Sequence, residues 1–212
     1  MFGPVSLIRQ SFAVIAATLF VVCQSIAAEP LRMLGNGFTL YGGYQVGGSF
    51  TDQTNNQTIE LREGRSFAAS LDLPLDESTE FQVFYNHQST QFSPWPYPNS
   101  SDQLRLDYLQ FGGTYFPDEL GRGFYLVGGI GATRMAPSAA GYGPATRISM
   151  NLGIGYLVPL SKYVGVRFEA RGYATAVGSS SAIFCSGGCV ATLTASAVTQ
   201  GEFLVGLSAR FN

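Results

Sequence analysis

The sequence is poor in charge. Asp, Glu, Lys and Arg make up 12% of its 212 residues, against roughly 25% in an ordinary soluble domain. Beyond the N-terminal region no uninterrupted apolar run reaches the length of a transmembrane helix, which excludes a helical bundle in a membrane. Histidine occurs once, at His87, and cysteine three times. No metal or cofactor is expected from so few soft ligands, because a structural zinc site needs four. The balance of charge is slightly acidic, so the basic surface that nucleic-acid binding requires is missing.

What the sequence has instead is glycine, 26 residues, and aromatics, 13% of the chain. Few charges without an apolar helix to explain them imply strands with one face in lipid. The N-terminus reads as an export signal. Arg9 supplies the positive region, 12–22 the apolar core, and Ser25-Ile26-Ala27-Ala28 the small residues before a cut. The apolar core is too short to anchor the chain as a transmembrane helix. Val22 before Cys23 is too bulky for a lipoprotein signal. Residues 1–28 are therefore expected to be removed, leaving 29–212 as one domain. Losing Arg9 leaves 11 basic residues against 14 acidic ones, a net charge near −3.

Period two runs through the remainder. In 147–158, Ile148, Met150, Leu152, Ile154, Tyr156 and Val158 share one face, and Arg147, Ser149 and Asn151 share the other. That is a strand; a helix would scatter these residues around its axis. In 164–175, Val164, Val166 and Phe168 oppose Arg167, Glu169 and Arg171. A row that alternates in sign can neutralise itself inside an enclosed interior. Similar alternation marks 37–50, 65–73, 79–88 and 202–211. Segment 104–116 changes the parity of its apolar residues midway, which requires either a bulge near Tyr108 or a locally apolar interior. Segment 124–135 is apolar on both faces, so its orientation stays open. These segments predict an all-β, eight-stranded, antiparallel, transmembrane up-and-down barrel. Its connections alternate between short (74–78, 117–122, 159–162) and long (51–64, 89–102, 136–146, 177–200), as periplasmic turns and extracellular loops do.

With the alternating hairpins, Gly112-Gly113-Thr114-Tyr115-Phe116 and the ending Gly206-Leu207-Ser208-Ala209-Arg210-Phe211, the chain resembles the small outer-membrane β-barrel proteins of Gram-negative bacteria, the OmpA-like eight-stranded class. The likeness covers essentially everything after the signal. It implies a bacterial outer-membrane location, with membrane lipid and lipopolysaccharide as surroundings. It also implies the barrel-assembly machinery as a partner during biogenesis, since the last strand resembles its recognition signal, although Asn212 follows the aromatic Phe211.

Several residues carry candidate roles. Glu80, Arg147, Arg167, Glu169, Arg171, Glu202 and Arg210 are expected to meet inside as a self-satisfied polar cluster, because buried charges must be paired; the rival reading is a narrow path for ions or small solutes. Cys185 and Cys189 are expected to form a short disulfide loop in an oxidising compartment. Trp95 and Tyr97, in a proline-stiffened loop, offer contact area for a surface partner or sit at headgroup level. His87-Gln88-Ser89 resembles the His-x-Ser element of the outer-membrane lipid A deacylases. That likeness implies His87 as base, Ser89 as nucleophile and a carboxylate such as Glu60 or Glu63 to orient the imidazole. The overall expectation is a non-enzymatic barrel that displays loops for envelope integrity or surface interaction, with channel and lipid A hydrolase as alternatives.

Overall fold

The structure is a computed structural model and describes residues 31–51, 58–93, 103–138, 143–176 and 197–211. They form strands only: β1 (Asn36–Val46), β2 (Ser49–Thr51), β3 (Thr58–Leu61), β4 (Gly64–Pro74), β5 (Thr79–Ser93), β6 (Gln103–Tyr115), β7 (Gly123–Pro137), β8 (Ala145–Pro159), β9 (Val164–Ala176) and β10 (Ala197–Phe211). Eight long strands close a ring in the order β1, β10, β9, β8, β7, β6, β5, β4 and back to β1, every pair antiparallel. The short β2 and β3 pair with each other, and β3 extends the wall beside the far end of β5. The expected loop 51–64 thus contains a strand, and the expected segment 37–50 is broken. Gly47 and Gly48 adopt φ of 80° and 105° there, a conformation glycine takes without a Cβ clash.

The two walls of the barrel differ as the period-two reading requires. Ile148 is 76% exposed and Leu152 74%, whereas Arg167 on the neighbouring strand is 0% exposed. The exposed aliphatic and aromatic side chains form the outer face of every long strand. They are what a membrane strand presents to hydrocarbon, and in water they would make an apolar patch far beyond that of a soluble monomer.

Both ambiguous segments resolve without a bulge. The β5–β6 register is unbroken from Thr79↔Tyr115 to Gln91↔Gln103, and β6–β7 is likewise continuous. Leu104, Leu106 and Tyr108 point inward and are buried, so the interior is locally apolar at the end of the barrel where the long loops emerge. On β7, Tyr125 and Val127 point inward while Phe124, Leu126 and Ile130 point outward. Inward glycines make room for large inner rings. A Cβ at Gly155 would lie 2.2 Å from Tyr125 Cζ, and one at Gly206 2.4 Å from Tyr41 Cδ1.

The end with the short turns is closed from below. Residues before β1 run under the barrel mouth, with Met33 fully buried beside Phe116, Leu120, Tyr125, Val127 and Leu157. The Met33 amide donates to the Gly121 carbonyl at 3.0 Å, Arg32 pairs with Glu119 at 3.1 Å, and Arg210 donates to the Gly35 carbonyl at 3.0 Å.

Candidate functional site

Two polar clusters stand out, one in the lumen and one on the outer wall. The lumen cluster is built from inward positions of β4, β5, β9 and β10. Arg167 lies at the centre, with Nη1 3.0 Å from Asp72 Oδ2 and Nη2 3.1 Å from Glu80 Oε2. Arg210 Nη1 stands 2.6 Å from the other oxygen of Glu80. Arg171 donates from Nε to Glu169 at 2.6 Å and from Nη2 to Gln82 at 2.8 Å. Tyr41 and Tyr125 both donate to Glu169 Oε1, at 2.8 and 2.6 Å. The guanidinium of Arg171 also lies 3.7 Å from the centre of the Phe84 ring, where the face of the ring attracts a cation.

β5 and β9 lie diametrically opposite in the ring, as do β6 and β10. The pairs Arg167–Glu80 and Arg171–Gln82, and the hydrogen bond from Tyr108 to Gln200, therefore cross the full lumen. Glu202 meets no arginine among the described residues; it accepts from Asn86 and from the Tyr173 hydroxyl. Arg147 is half-buried, opposite Thr133 near the loop end, and forms no ion pair among the described residues. Asp72, at a buried inward position of β4, is a direct partner of Arg167 and is not among the seven residues expected to meet inside.

The second cluster uses outward positions of β5 and β6. The register sets His87 directly opposite Asp107. His87 Nδ1 lies 2.7 Å from Asp107 Oδ1, and His87 Nε2 lies 3.4 Å from Ser89 Oγ. The Tyr85 hydroxyl donates to the same Asp107 oxygen at 2.9 Å. Ser89 is exposed, while His87 and Asp107 are half-buried. Period two brings His87 and Ser89 to one face, but the carboxylate comes from the following strand. Glu63, one of the two acids expected, instead accepts from Tyr44 at 3.2 Å.

A third feature is an outer groove of about 380 Å³, lined by Phe124, Ile154, Tyr156, Phe168, Phe203 and Val205. It is walled almost wholly by carbon. Trp95, Tyr97, Cys185, Cys189 and the residues of the expected signal lie outside the described residues.

No family model and no curated protein sequence matches the chain. Solved structures do. The chain is similar to neisserial surface protein A, NspA, with a TM-score of 0.52 and 14% identity over 84% of this chain and 100% of that one. It is similar to the outer-membrane protein AlkL, solved by solid-state NMR in lipid bilayers, with a TM-score of 0.54 and 12% identity over 88% of this chain and 94% of that one. At such identities the likeness speaks for architecture alone: this chain has the closed eight-stranded fold of the small outer-membrane β-barrels of Gram-negative bacteria.

Proposed function

We propose that the protein is an integral outer-membrane barrel that works from its outer surfaces, displaying extracellular loops for envelope integrity or surface interaction, and does not pass solutes through its middle. The observation that carries this is the lumen. Hydrogen bonds and ion pairs cross it between opposite strands. Apolar layers lie above and below them, with Met33, Phe116 and Leu157 at the turn end and Leu61, Leu104, Leu106 and Met135 at the loop end. Eight strands leave an interior that side chains fill, and the turn end is the periplasmic one because short turns face the periplasm in such barrels.

Planar-bilayer recording of the purified protein tests the reading. No steady openings are expected. Reproducible unitary conductance, altered by Arg167→Ala, would instead establish the channel. Two loop features belong to the same proposal. Cys185 and Cys189 are taken to be joined in a loop-capping disulfide, so alkylation should label neither thiol until a reductant is added. Trp95 and Tyr97 are taken to be the contact residues of the loop after β5.

A further inference from the structure

We infer that Ser89, His87 and Asp107 form a nucleophile, base and orienting carboxylate on the outer wall, and that the protein hydrolyses carboxylic esters of anionic lipids in the leaflet facing the loops. This goes beyond loop display and needs only that the wall face lipid, not that the lumen be closed.

The geometry supports each role. With Nδ1 protonated and donating to Asp107 at 2.7 Å, Nε2 carries the lone pair that faces the Ser89 hydroxyl at 3.4 Å. That is the serine–histidine–carboxylate relation of acyl hydrolases, slightly open as is common before substrate binds. An ordinary ion pair at a barrel rim would use one imidazole nitrogen; here both are engaged, by an acid on one side and a hydroxyl on the other. Tyr85 holds Asp107 from a second direction. The nucleophile is the exposed member, and its two supporting groups are half-shielded.

Depth points to the substrate. Moving toward the loop end, the outward positions of β5 change from Phe81, Val83 and Tyr85 to His87 and Ser89. Those of β6 change in the same register from Phe111 and Leu109 to Asp107 and Arg105. The cluster therefore lies where the apolar belt ends, at the boundary between hydrocarbon and headgroups. Ester carbonyls of membrane lipids lie at that boundary, with acyl chains below and polar groups above. Exposed arginines flank the cluster: Arg105 opposite Ser89 and Arg134 opposite Asp107 in the register, and Arg65 on the adjoining β4. They suit a phosphate-bearing headgroup. Backbone amides inside a sheet are already paired, so Arg105 is the group positioned to stabilise an oxyanion.

In the first half of the reaction Ser89 Oγ attacks the ester carbonyl carbon and His87 Nε2 takes the hydroxyl proton. The C–O bond to the alcohol then breaks, and His87 returns that proton to the leaving oxygen. Water attacks the acyl-serine, gives a proton to His87, and the fatty acid leaves as the proton returns to Ser89 Oγ. Water is the only co-reactant and no redox change occurs.

The full mature chain should be refolded into vesicles of phosphatidylglycerol and, separately, into vesicles containing lipopolysaccharide, with released fatty acid measured by mass spectrometry. Release from the first identifies a glycerophospholipid substrate; release from the second identifies an acylated phosphosugar. Ser89→Ala should abolish either. Asp107→Asn should lower kcat by roughly 10²–10⁴-fold with little change in KM, and Asp107→Glu should recover part of that loss, as a positioning carboxylate requires. A fluorophosphonate probe should form an adduct on Ser89. Barrel integrity is read independently from heat-modifiable gel migration. A properly folded barrel with no adduct, or with fatty-acid release no greater than that of Ser89→Ala, would overturn the inference without touching the barrel reading.

Discussion

The lumen cluster and the outer-wall cluster are made from the same parts, charged and hydroxyl side chains two residues apart on neighbouring strands, yet they face different solvents. Inside, the side chains of Arg167, Asp72, Glu80 and Arg210 are 0% exposed and each meets an opposite charge. They are enclosed and neutralise one another. Outside, His87 lies between Asp107 and Ser89, and Ser89 is exposed. Polar residues on a membrane barrel thus divide by access: enclosed ones hold the fold, and open ones at the edge of the belt are available for reaction.

The largest expected effect tests the enclosed side. Arg167→Met leaves Asp72 without the arginine that pairs with it among the described residues, and Glu80 with Arg210 alone of the two that pair with it there. Stranding a buried charge costs about 3–5 kcal/mol, read as a lower urea midpoint for unfolding from vesicles. Arg171→Met should cost less, because Glu169 keeps the hydroxyls of Tyr41 and Tyr125. The next effect tests the lipid side. Leu152→Arg, at a fully outward position, should cost about 2–4 kcal/mol, the depth-dependent penalty for a cation near the bilayer midplane. An unchanged midpoint there would mean that this face does not meet hydrocarbon. Smaller still should be the stability change for Ser89→Ala at the open cluster, within about 0.5 kcal/mol, although the same substitution removes hydrolysis. A large loss of stability would place Ser89 with the structural residues and erase the distinction.

The same division decides which strands the sequence makes legible. Strands β8, β9 and β10 read cleanly because their inward row is polar and their outward row apolar. β6 did not, because Leu104 and Leu106 are apolar yet inward; hydrophobicity names a side chain's preference for leaving water, not which of two dry places it enters. Partners were harder than faces. Period two in 65–73 turns Asp72 inward, but its pairing with Arg167 depends on the geometry across a lumen, which no local period encodes. The sequence offers Glu60 and Glu63 on the preceding hairpin as the acid beside His87, whereas Asp107 arrives through the β5–β6 register. That register is fixed across a long connection and cannot be counted from sequence. The segment carrying Met33 showed no periodic signal at all, since a single buried side chain beneath a mouth has no repeat.

A polar group outside the membrane altogether completes the comparison, at the turn between β4 and β5. Asp76 accepts from the amides of Ser78 and Thr79 at 2.8 Å each, and from both of their hydroxyls. The Thr79 hydroxyl first, and then the Ser78 amide, hold its carboxyl down to about 2, against about 3.9 for a free aspartate. Because the folded value is the lower one, the charged form favours the folded state. The contribution is complete above about pH 4, shrinks as pH falls between the two values, and is gone below about 2. Asp76→Ala should therefore lower the unfolding midpoint slightly at neutral pH, and the gap from the parent should close on acidification through that window. The carboxylate is fully exposed, so this is the smallest of the effects. A gap that stayed constant down to pH 2 would show that the turn depends on the shape of the aspartate and not on its charge.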